Sequence, residues 1–523
     1  MARPVMCKCF KRNGMSVIAI ILMVLVTEIS SEKYEQVTDC ILDAFQRDVI
    51  KFVCDPNKSP IKFENQSEIY CRYYQTLPES TVKENGLPKI SFHNCRLMHL
   101  STLVKWNKAV QSLDIKSTGL QAIDSNSFEY ADELLILDAS ENELNALPSA
   151  LFRYSKKISR VNFSSNKIVT IDPTSFENAG NLRFLDLSKN LIREIDNRTF
   201  AKLYQLESLE LSSNLIGALP DGVFDDLRKL KFLMLSKNAI SHLQCSLFAN
   251  LLNLDALYVM DNNLQEFNSS CIQTQSNGNI FLCIEGNQLT NLTLLRNMRD
   301  VYAANNRLKW ITVDQNLDML YSLNVSNNKI ENIPQILQQL SPNLRQLDVS
   351  DNPVGVLNSS TLAKFRKLFI LSLRNTNLSY IANDAFRQQR DLISLNLSNN
   401  NLTKIDFGTV EWNLDSLEFL SLDGNRLERL DNFDGIKLPV LRYLSINNNT
   451  FSCGYLAEFL KQLEAREIST KMPGSSVMDG NGIDGRNVDG VACYNDSNSA
   501  DRVFSVEWLL LFLLAFLSFS NIY

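Results

Sequence analysis

Leucine and asparagine recur along this chain in one fixed frame. The frame is Leu-x-Leu-x-x-Asn followed two places later by an aliphatic residue, and it is seen from Leu185 to Asn190, from Leu209 to Asn214 and from Leu233 to Asn238. The asparagine position returns every 24 or 25 residues, except around Asn306 and Asn328. It is occupied by Asn142, Asn166, Asn190, Asn214, Asn238, Asn262, Asn287, Asn306, Asn328, Asn352, Asn400, Asn425 and Asn449, and threonine takes the same position at Thr118 and Thr376.

Each position of the frame has a physical role in a coil of chain. Side chains alternate across a strand, so the two leucines point inward from a short strand. The asparagine lies where the chain turns, and its amide can satisfy backbone groups of neighbouring coils. The repeat therefore predicts an α/β leucine-rich repeat solenoid, a horseshoe of about 15 repeats with a parallel β-sheet on its concave face.

A phenylalanine recurs ten residues after the asparagine position. Because the offset is constant, these rings should stack as an aromatic spine under the convex side and belong to the core. They are Phe128, Phe152, Phe176, Phe200, Phe224, Phe248 and Phe386.

The pattern divides the chain into five segments. They are a signal peptide (1–31), a Cys-rich N-terminal cap (32–109), the solenoid (110–450), a C-terminal cap (451–494) and a terminal tail (495–523). The first segment joins a basic start to ten apolar residues from Val17 to Val26. This run is shorter than the roughly 20 residues of a membrane span, which favours a cleaved signal over a retained anchor.

The tail ends in a second apolar run, from Trp508 to Phe519. Small residues near Ser497 precede a polar spacer and this run, the order of a glycosylphosphatidylinositol (GPI) signal with lipid attachment at Ser497. A short transmembrane helix and plain secretion are the alternatives.

Glycosylation signals agree with an extracellular, cell-surface or secreted location. Asn162, Asn324 and Asn396 lie between the two strand leucines, so sugars there would shield the concave face. The thirteen Asn-x-Ser/Thr signals begin at Asn57, Asn65, Asn162, Asn197, Asn268, Asn291, Asn324, Asn358, Asn377, Asn396, Asn401, Asn448 and Asn495.

Eight of the cysteines are expected to form disulfides in an oxidising compartment. Cys40, Cys54, Cys71 and Cys95 cluster in the N-terminal cap, and sequence does not separate their three possible pairings. Cys245 and Cys271 lie on adjacent coils and can pair, and Cys453 and Cys493 are expected to bridge the C-terminal cap. Between the last two, Tyr455 to Ala465 has the apolar spacing of a helix that closes the last coil.

Cys283 is the odd cysteine. It lies between the two inward residues of its strand, so its thiol is expected to face the concave surface. Three alternatives remain open: a quiet thiol outside any disulfide, an intermolecular bridge, or pairing with a nearby cysteine.

Catalytic and nucleic-acid functions have little support. The chain has three histidines, His93, His99 and His242, and none of the usual catalytic, zinc or phosphate-loop motifs. We expect no enzyme activity, no cofactor and no metal. The formal net charge is −6, and removing 1–31 takes away four basic and one acidic residue to leave −9. Nucleic-acid binding would need a basic stripe instead.

Aromatic residues gather in the middle of the predicted concave face. Exposed aromatics beside fixed polar groups are what protein interfaces use as anchors. The alternative is that these rings only pack against each other. The predicted contact patch for a protein partner consists of Phe184, Phe232, Tyr258, Phe281 and Tyr302, rimmed by Asp186 and Glu210.

From Ile90 to Cys493 the chain resembles insect extracellular leucine-rich repeat proteins. The resemblance rests on Leu219 to Phe224 (LPDGVF), Leu113 to Leu120 (LDIKSTGL) and the cap from Asn449 to Leu456 (NTFSCGYL). That cap departs from the common vertebrate form, which has Cys-x-Cys and four cysteines. The family includes mosquito leucine-rich immune proteins and the adhesion proteins connectin and chaoptin, and this chain resembles the coil-less branch because it has no sustained heptads.

Two functions follow from these observations. The first is non-catalytic recognition at the cell surface, in innate immunity or cell adhesion. The partner would be a protein ligand, a co-receptor or another leucine-rich repeat protein. The second is a structural glycoprotein of the extracellular matrix. Membrane attachment would come from the lipid anchor or the short helix.

Overall fold

A computed structural model describes seven stretches of the chain and, before them, the backbone of five strands. The stretches are 110–273, 279–314, 317–331, 333–354, 359–435, 438–471 and 487–494. The predicted signal peptide, Ser497 and the tail, Cys71, Cys95 and the side chains of Cys40 and Cys54 lie outside the described residues. The chain divides into two compact units, Met1–Met319 and Leu320–Tyr523.

The first unit contains the predicted parallel sheet. Its strands align in register, so that Leu185 lies opposite Leu209 and Leu209 opposite Leu233, and all three leucines are fully buried. The strands are Ser112–Asp114, Ile136–Asp138, Arg160–Asn162, Phe184–Asp186, Ser208–Glu210, Phe232–Met234, Ala256–Tyr258, Ile280–Cys283 and Met298–Tyr302. We call the side of this sheet opposite the buried leucines the concave face, as is usual for leucine-rich repeats.

The sheet continues into the N-terminal cap. Glu35–Val37, Cys40–Gln46 and Val49–Cys54 run antiparallel, and the last of them pairs in parallel with Lys89–His93. Ile90 lies opposite Leu113, as expected if the repeat frame begins in the cap. Short strands on the convex side also pair in parallel. His99–Leu100 pairs with Ala122–Ile123, and Ala146–Leu147 pairs with Thr170–Ile171.

The ladder asparagines join neighbouring coils. Asn190 Nδ2 donates to the carbonyl oxygens of Phe163 in the preceding coil and Leu187 in its own, at 3.0 Å each. Its Oδ1 accepts from Ile168 N at 3.0 Å. The same contacts recur at Asn214. A buried backbone group left unsatisfied costs about 1–3 kcal/mol, which explains why the frame favours an amide there.

The residue before the ladder position adopts a left-handed backbone in coil after coil. Lys189, Ser213 and Lys237 have φ of 54°, 58° and 56°. At Gly286, where φ is 67°, a side chain would also collide with Asp261 of the preceding coil. The turn that presents each asparagine therefore has a fixed geometry that sequence spacing alone does not reveal.

The convex side is packed by the phenylalanine spine over five coils. Ring centroids from Phe128 to Phe224 lie 5.7 to 6.4 Å apart in stacked pairs. Phe248 instead meets Phe267 edge-on at 6.4 Å. The 3-10 turns Cys245–Phe248 and Ser269–Cys271 lie here. The next two coils have the paired strands Asn291–Leu294 and Trp310–Val313 instead.

The second unit repeats the same construction. Its parallel strands are Ser322–Asn324, Gln346–Asp348, Ile370–Ser372, Ser394–Asn396, Phe419–Ser421 and Tyr443–Ser445. Helices Ile333–Gln339 and Ser359–Leu362, the 3-10 turn Phe433–Gly435 and the paired strands Ile405–Asp406 and Leu430–Asp431 lie on its other side. Phe386 meets Trp412 edge-on rather than joining a phenylalanine stack.

A helix closes this unit, two residues longer than the predicted Tyr455 to Ala465. It spans Cys453–Ala465 because Ser452 caps it, its hydroxyl accepting from Tyr455 N. Leu456, Phe459, Leu460 and Leu463 are buried, as their spacing predicts. The hairpin Asn487–Val488 and Val491–Ala492 follows.

Candidate functional site

The predicted contact patch lies on consecutive strands of the first unit. Two rows of side chains cross these strands on the concave face. Cross-strand registers define an outer row of Arg160, Phe184, Ser208, Phe232, Ala256 and Phe281, and a central row of Asn162, Asp186, Glu210, Met234, Tyr258, Cys283 and Tyr302. The structure thus brings all seven predicted residues onto one face.

Three of the aromatic residues form a compact cluster. The ring centroid of Phe281 lies 5.1 Å from that of Tyr258 and 5.2 Å from that of Tyr302. Phe281 fits between the tyrosines because its neighbour in the outer row, Ala256, is small. The prediction that Tyr302 is an exposed anchor is wrong, since only 5% of it is exposed.

Cys283 lies under this cluster. Its strand position directs it to the concave side, between Tyr258 and Tyr302, but the residue is fully buried. Its Sγ lies 3.9 Å from Met260 Sδ. The expectation of a thiol at the open surface is therefore wrong, because the aromatic side chains and Met260 cover it.

Phe232 is the exposed member of the patch. It is 40% exposed, and the outer-row residues on either side, Ser208 and Ala256, are short and buried. Phe184 is half-buried, with the Arg160 guanidinium 4.3 Å from its ring centroid. Phe232 therefore rises above its neighbours, whereas Phe184 already has a cation against its ring.

The acidic residues do not form an exposed rim. Asp186 and Glu210 are 1% and 7% exposed. The prediction fails because each carboxylate folds back to accept the backbone N–H two residues further on, Ser188 N and Ser212 N, at 2.8 Å.

Burial changes the protonation of this acidic row. Burial, reinforced by the Asp186 carboxylate, raises the pKa of Glu210 to about 8. Burial also raises the pKa of Asp186 and of Asp138, against the opposing hydrogen bonds from Ser188 and Ser140. Glu210 is therefore mainly neutral at pH 7, so the middle of the concave face is less negative than its sequence indicates.

The described residues include two disulfides. Cys245 pairs with Cys271 and Cys453 with Cys493, with Cα atoms 4.9 and 5.0 Å apart. Both are pairings that the sequence analysis proposed. Within the ranges that the structure describes, no helix has the length and apolar character needed to cross a membrane.

Sequence reasoning missed Arg160 and Met260. Arg160 was detectable, because it holds the Phe184 position one repeat earlier. Met260 carries no such signal, since its contact with Cys283 depends on how the rings above it pack.

Comparisons agree with this architecture. The family model described as Leucine rich repeat matches residues 156–216, 205–264 and 366–427. Among curated proteins, human oligodendrocyte-myelin glycoprotein is 31% identical over 192 residues, which cover 35% of this chain and 41% of that protein. The chain spans only 29 to 41% of the first curated relatives, so the similarity concerns part of each protein.

Two solved structures have the same fold. The LRIM1/APL1C complex aligns with a TM-score of 0.51 at 19% identity, covering 93% of this chain and 75% of that chain. The Toll–Spatzle complex, described as a hub in Drosophila development and innate immunity, aligns with a TM-score of 0.55 at 18% identity, covering 84% and 64%. The repeats, the strand registers and these two structures agree on a leucine-rich repeat solenoid.

Proposed function

We propose that this protein binds another protein through the concave face of its first unit. It acts without catalysis, at the cell surface, in innate immune recognition or cell adhesion, and its partner is a protein ligand or a co-receptor. The observation that carries the proposal is Phe232, a large apolar side chain 40% exposed between two short buried residues. Aromatic side chains in such positions supply much of the binding energy of protein interfaces.

The pattern of glycosylation signals also favours this face. Asn162 is the last signal in the central row before Asn324, so the strands from Phe184 to Tyr302 carry none on the concave side. In the second unit, Asn324 and Asn396 occupy the same strand position. Sugars on these residues would leave the middle of the first unit as the open protein surface.

The structural neighbours fit a binding role. Both the LRIM1/APL1C and the Toll–Spatzle structures are complexes of leucine-rich repeat chains with other proteins. The central aromatic cluster supports the same use, because Tyr258, Phe281 and Tyr302 are already packed together. Little side-chain entropy would then be lost on binding.

The test begins with a multivalent form of the secreted chain, screened against a panel of extracellular proteins. Binding to each candidate is then titrated with monomeric protein by surface plasmon resonance. We expect Phe232→Ala with Tyr258→Ala to weaken saturable binding by at least about 30-fold, as for an interface hot spot of about 2 kcal/mol. Secretion and the circular dichroism spectrum should stay as in the parent.

Phe419→Ala is the matched control. Phe419 holds the same strand position in the second unit and stacks on Tyr443 at 5.0 Å, so its loss removes an equivalent aromatic from the other unit. Equal weakening by both variants would contradict the assignment to the first unit. Detergent-insoluble deposition without any saturable partner would instead support the matrix glycoprotein.

Attachment of the protein to the membrane belongs to the same proposal. We propose a lipid anchor at Ser497, because the tail has small residues there, then a polar spacer and then an apolar run, which is the arrangement of a GPI signal. Phosphatidylinositol-specific phospholipase C should then release the protein from intact cells. Retention on the cell would favour a short transmembrane helix, and protein in the medium without enzyme would favour secretion.

A further inference from the structure

A polar pocket lies beside the contact patch, at the edge where the concave strands begin. Its volume is about 350 Å³, and it is lined by Ser159, Arg160, Asn181, Arg183, Phe184 and Gln205. These residues come from three successive coils of the first unit. None of them is among the residues predicted from the sequence except Phe184.

The two arginines give this pocket a positive character. The Arg160 guanidinium lies against the Phe184 ring at 4.3 Å, and no described carboxylate approaches it within ion-pair distance. Arg183 is exposed, and its nearest carboxylate, Glu207, is 3.9 Å away. Glu207 makes its closer contact, 3.0 Å, with Lys231. The pocket therefore holds two guanidinium groups that are at most partly neutralised.

The wall of the pocket is held in place by contacts that leave hydrogen-bond donors for a ligand. Asn181 Nδ2 donates to Lys156 O at 2.9 Å, and Ser159 Oγ donates to Leu135 O at 3.0 Å. Gln205 Oε1 accepts from Lys229 Nζ at 2.6 Å, and within the described residues its NH2 group makes no hydrogen bond. Two guanidinium forks and one amide thus surround a space walled on one side by an aromatic ring.

We propose that this pocket binds an oxyanion, a carboxylate or a sulfate, carried on a side chain of the protein partner. Planar guanidinium groups bind carboxylate and sulfate-like oxyanions through paired N–H donors. Phe184 orients Arg160, since a ring beneath a guanidinium fixes its plane and leaves its edge for the anion. The proposal deepens the proposed function, because the pocket adjoins the patch that contains Phe232.

The positive charge of the pocket is opposite in sign to the net charge of the chain. The formal net charge of the protein is −6, so a pocket with two guanidinium groups is a local reversal. Complementary charge of this kind selects partners and orients their approach. An acidic segment of the partner would be attracted to this pocket, against the net negative charge of the chain.

The test uses labelled peptides and no natural partner, so it is independent of the experiment on Phe232. Three peptides are titrated into the full secreted chain by fluorescence anisotropy at low salt: Glu-Glu-Tyr-Glu-Glu, the same peptide sulfated on tyrosine, and Gln-Gln-Tyr-Gln-Gln. We expect either acidic peptide to bind at least tenfold more tightly than the glutamine peptide. Binding of the first identifies a carboxylate, and stronger binding of the second a sulfate.

Variants locate the binding. Arg160→Gln with Arg183→Gln should reduce acidic-peptide affinity at least tenfold. Arg198→Gln, which removes an exposed arginine paired with Asp196 at 3.2 Å in the same unit, should leave it unchanged. Equal binding of the acidic and glutamine peptides, or equal loss in both variants, would overturn the pocket while leaving the Phe232 patch untouched.

Discussion

The ladder asparagines determine at the level of single residues whether neighbouring coils hold together. Replacing Asn190 by alanine leaves the N–H of Ile168 without its acceptor. The carbonyls of Phe163 and Leu187 lose one donor each but keep the Nδ2 group of the adjacent ladder asparagine. At about 1–3 kcal/mol for one unsatisfied buried group, we expect a loss of roughly 1–3 kcal/mol in the free energy of unfolding. Urea unfolding followed by circular dichroism measures it.

The chain contains its own reference for that substitution. Thr118 and Thr376 occupy the ladder position. Each hydroxyl lies within hydrogen-bond distance of a carbonyl of its own coil and of the amide oxygen of the ladder asparagine in the following coil. Asn190→Thr should therefore keep contacts within its own coil and with the following coil, and lose those to the preceding coil. A stability between that of the parent and that of Asn190→Ala is expected. A threonine variant as stable as the parent would contradict the inter-coil role.

Glu210 gives the protein a predictable response to pH. Because its folded pKa is raised from 4.5 to about 8, the native state holds the proton more tightly than the unfolded chain does. Its contribution is favourable below pH 4.5 and is lost as the pH rises through about 8, by up to about 1.4 kcal/mol per pH unit. Glu210→Gln removes this dependence and keeps an acceptor for Ser212 N.

The measurement is the thermal midpoint of the parent and the variant between pH 4.5 and 8.5. We expect the two curves to meet at the acid end and the variant to be the more stable at the alkaline end. Glu194→Gln, at an exposed position of the neighbouring coil, is the control and should follow the parent. A Glu210→Gln curve parallel to that of the parent would refute the buried-acid explanation.

The face on which a residue lies can be predicted from the sequence, but its exposure cannot. The strand position alone brings Phe184, Asp186 and Phe232 onto one face, so their shared face could be predicted from the sequence. Whether Asp186 or Tyr302 is exposed depends on the contacts its side chain makes: the Asp186 carboxylate turns back to its own strand, and the Tyr302 ring packs against Phe281. Those contacts vary with residues such as Ala256, whose small size admits Phe281, and no periodic pattern encodes them.

The same distinction holds at the level of elements. The parallel strands were predicted because two leucines and an asparagine specify each one locally. The convex strands Asn291–Leu294 and Trp310–Val313 were not, because they lie in the consecutive coils of 19 and 22 residues, where the regular repeat pattern is lost. Helix Ile333–Gln339 was not predicted either.

The C-terminal cap tests whether the end of a solenoid needs a covalent closure. Cys453 and Cys493 enclose 40 residues, for which loop-closure entropy gives about 4 kcal/mol. Replacing both by serine should free the helix Cys453–Ala465 from the last coil. We expect faster amide hydrogen exchange in the strand Tyr443–Ser445, because that coil has no further repeat to cover it.

The disulfide between Cys245 and Cys271 provides the comparison. It encloses 26 residues in the first unit, and the same entropy argument gives about 3.5 kcal/mol. Its double serine variant should lower stability without changing exchange at Tyr443–Ser445. Unchanged exchange at that strand in the Cys453→Ser/Cys493→Ser variant would show that helix packing alone, including Phe459 against Phe433 at 5.3 Å, closes the unit.

At the scale of the whole molecule, the chain divides after Met319 into two compact units, within the segment 110–450 that the sequence analysis predicted as the solenoid. The division falls within the stretch where ladder spacing departs from 24, between Asn306 and Asn328. Each repeat frame is defined locally, so an unbroken series of frames does not show where one compact body ends. Irregular spacing was the only signal available.

Glycosylation provides the sharpest test of which face the molecule uses. Met234 lies in the central row beside Tyr258 and is followed two residues later by Ser236, so Met234→Asn alone creates an Asn-x-Ser signal. This frame is the one that Asn162 and Asn324 already have on their strands. A sugar there would stand between Phe232 and the aromatic cluster, and we expect it to abolish saturable partner binding.

Two controls separate the sugar from the substitution. Met234→Gln introduces a similar polar side chain without a glycosylation signal and should retain most of the binding. Asp348→Asn creates Asn-Val-Ser at the same strand position of the second unit and should retain binding even when glycosylated. Mass spectrometry first verifies occupancy of each new site. If the glycosylated Met234→Asn protein binds as the parent does, the partner does not use this face, whatever the exposure of Phe232.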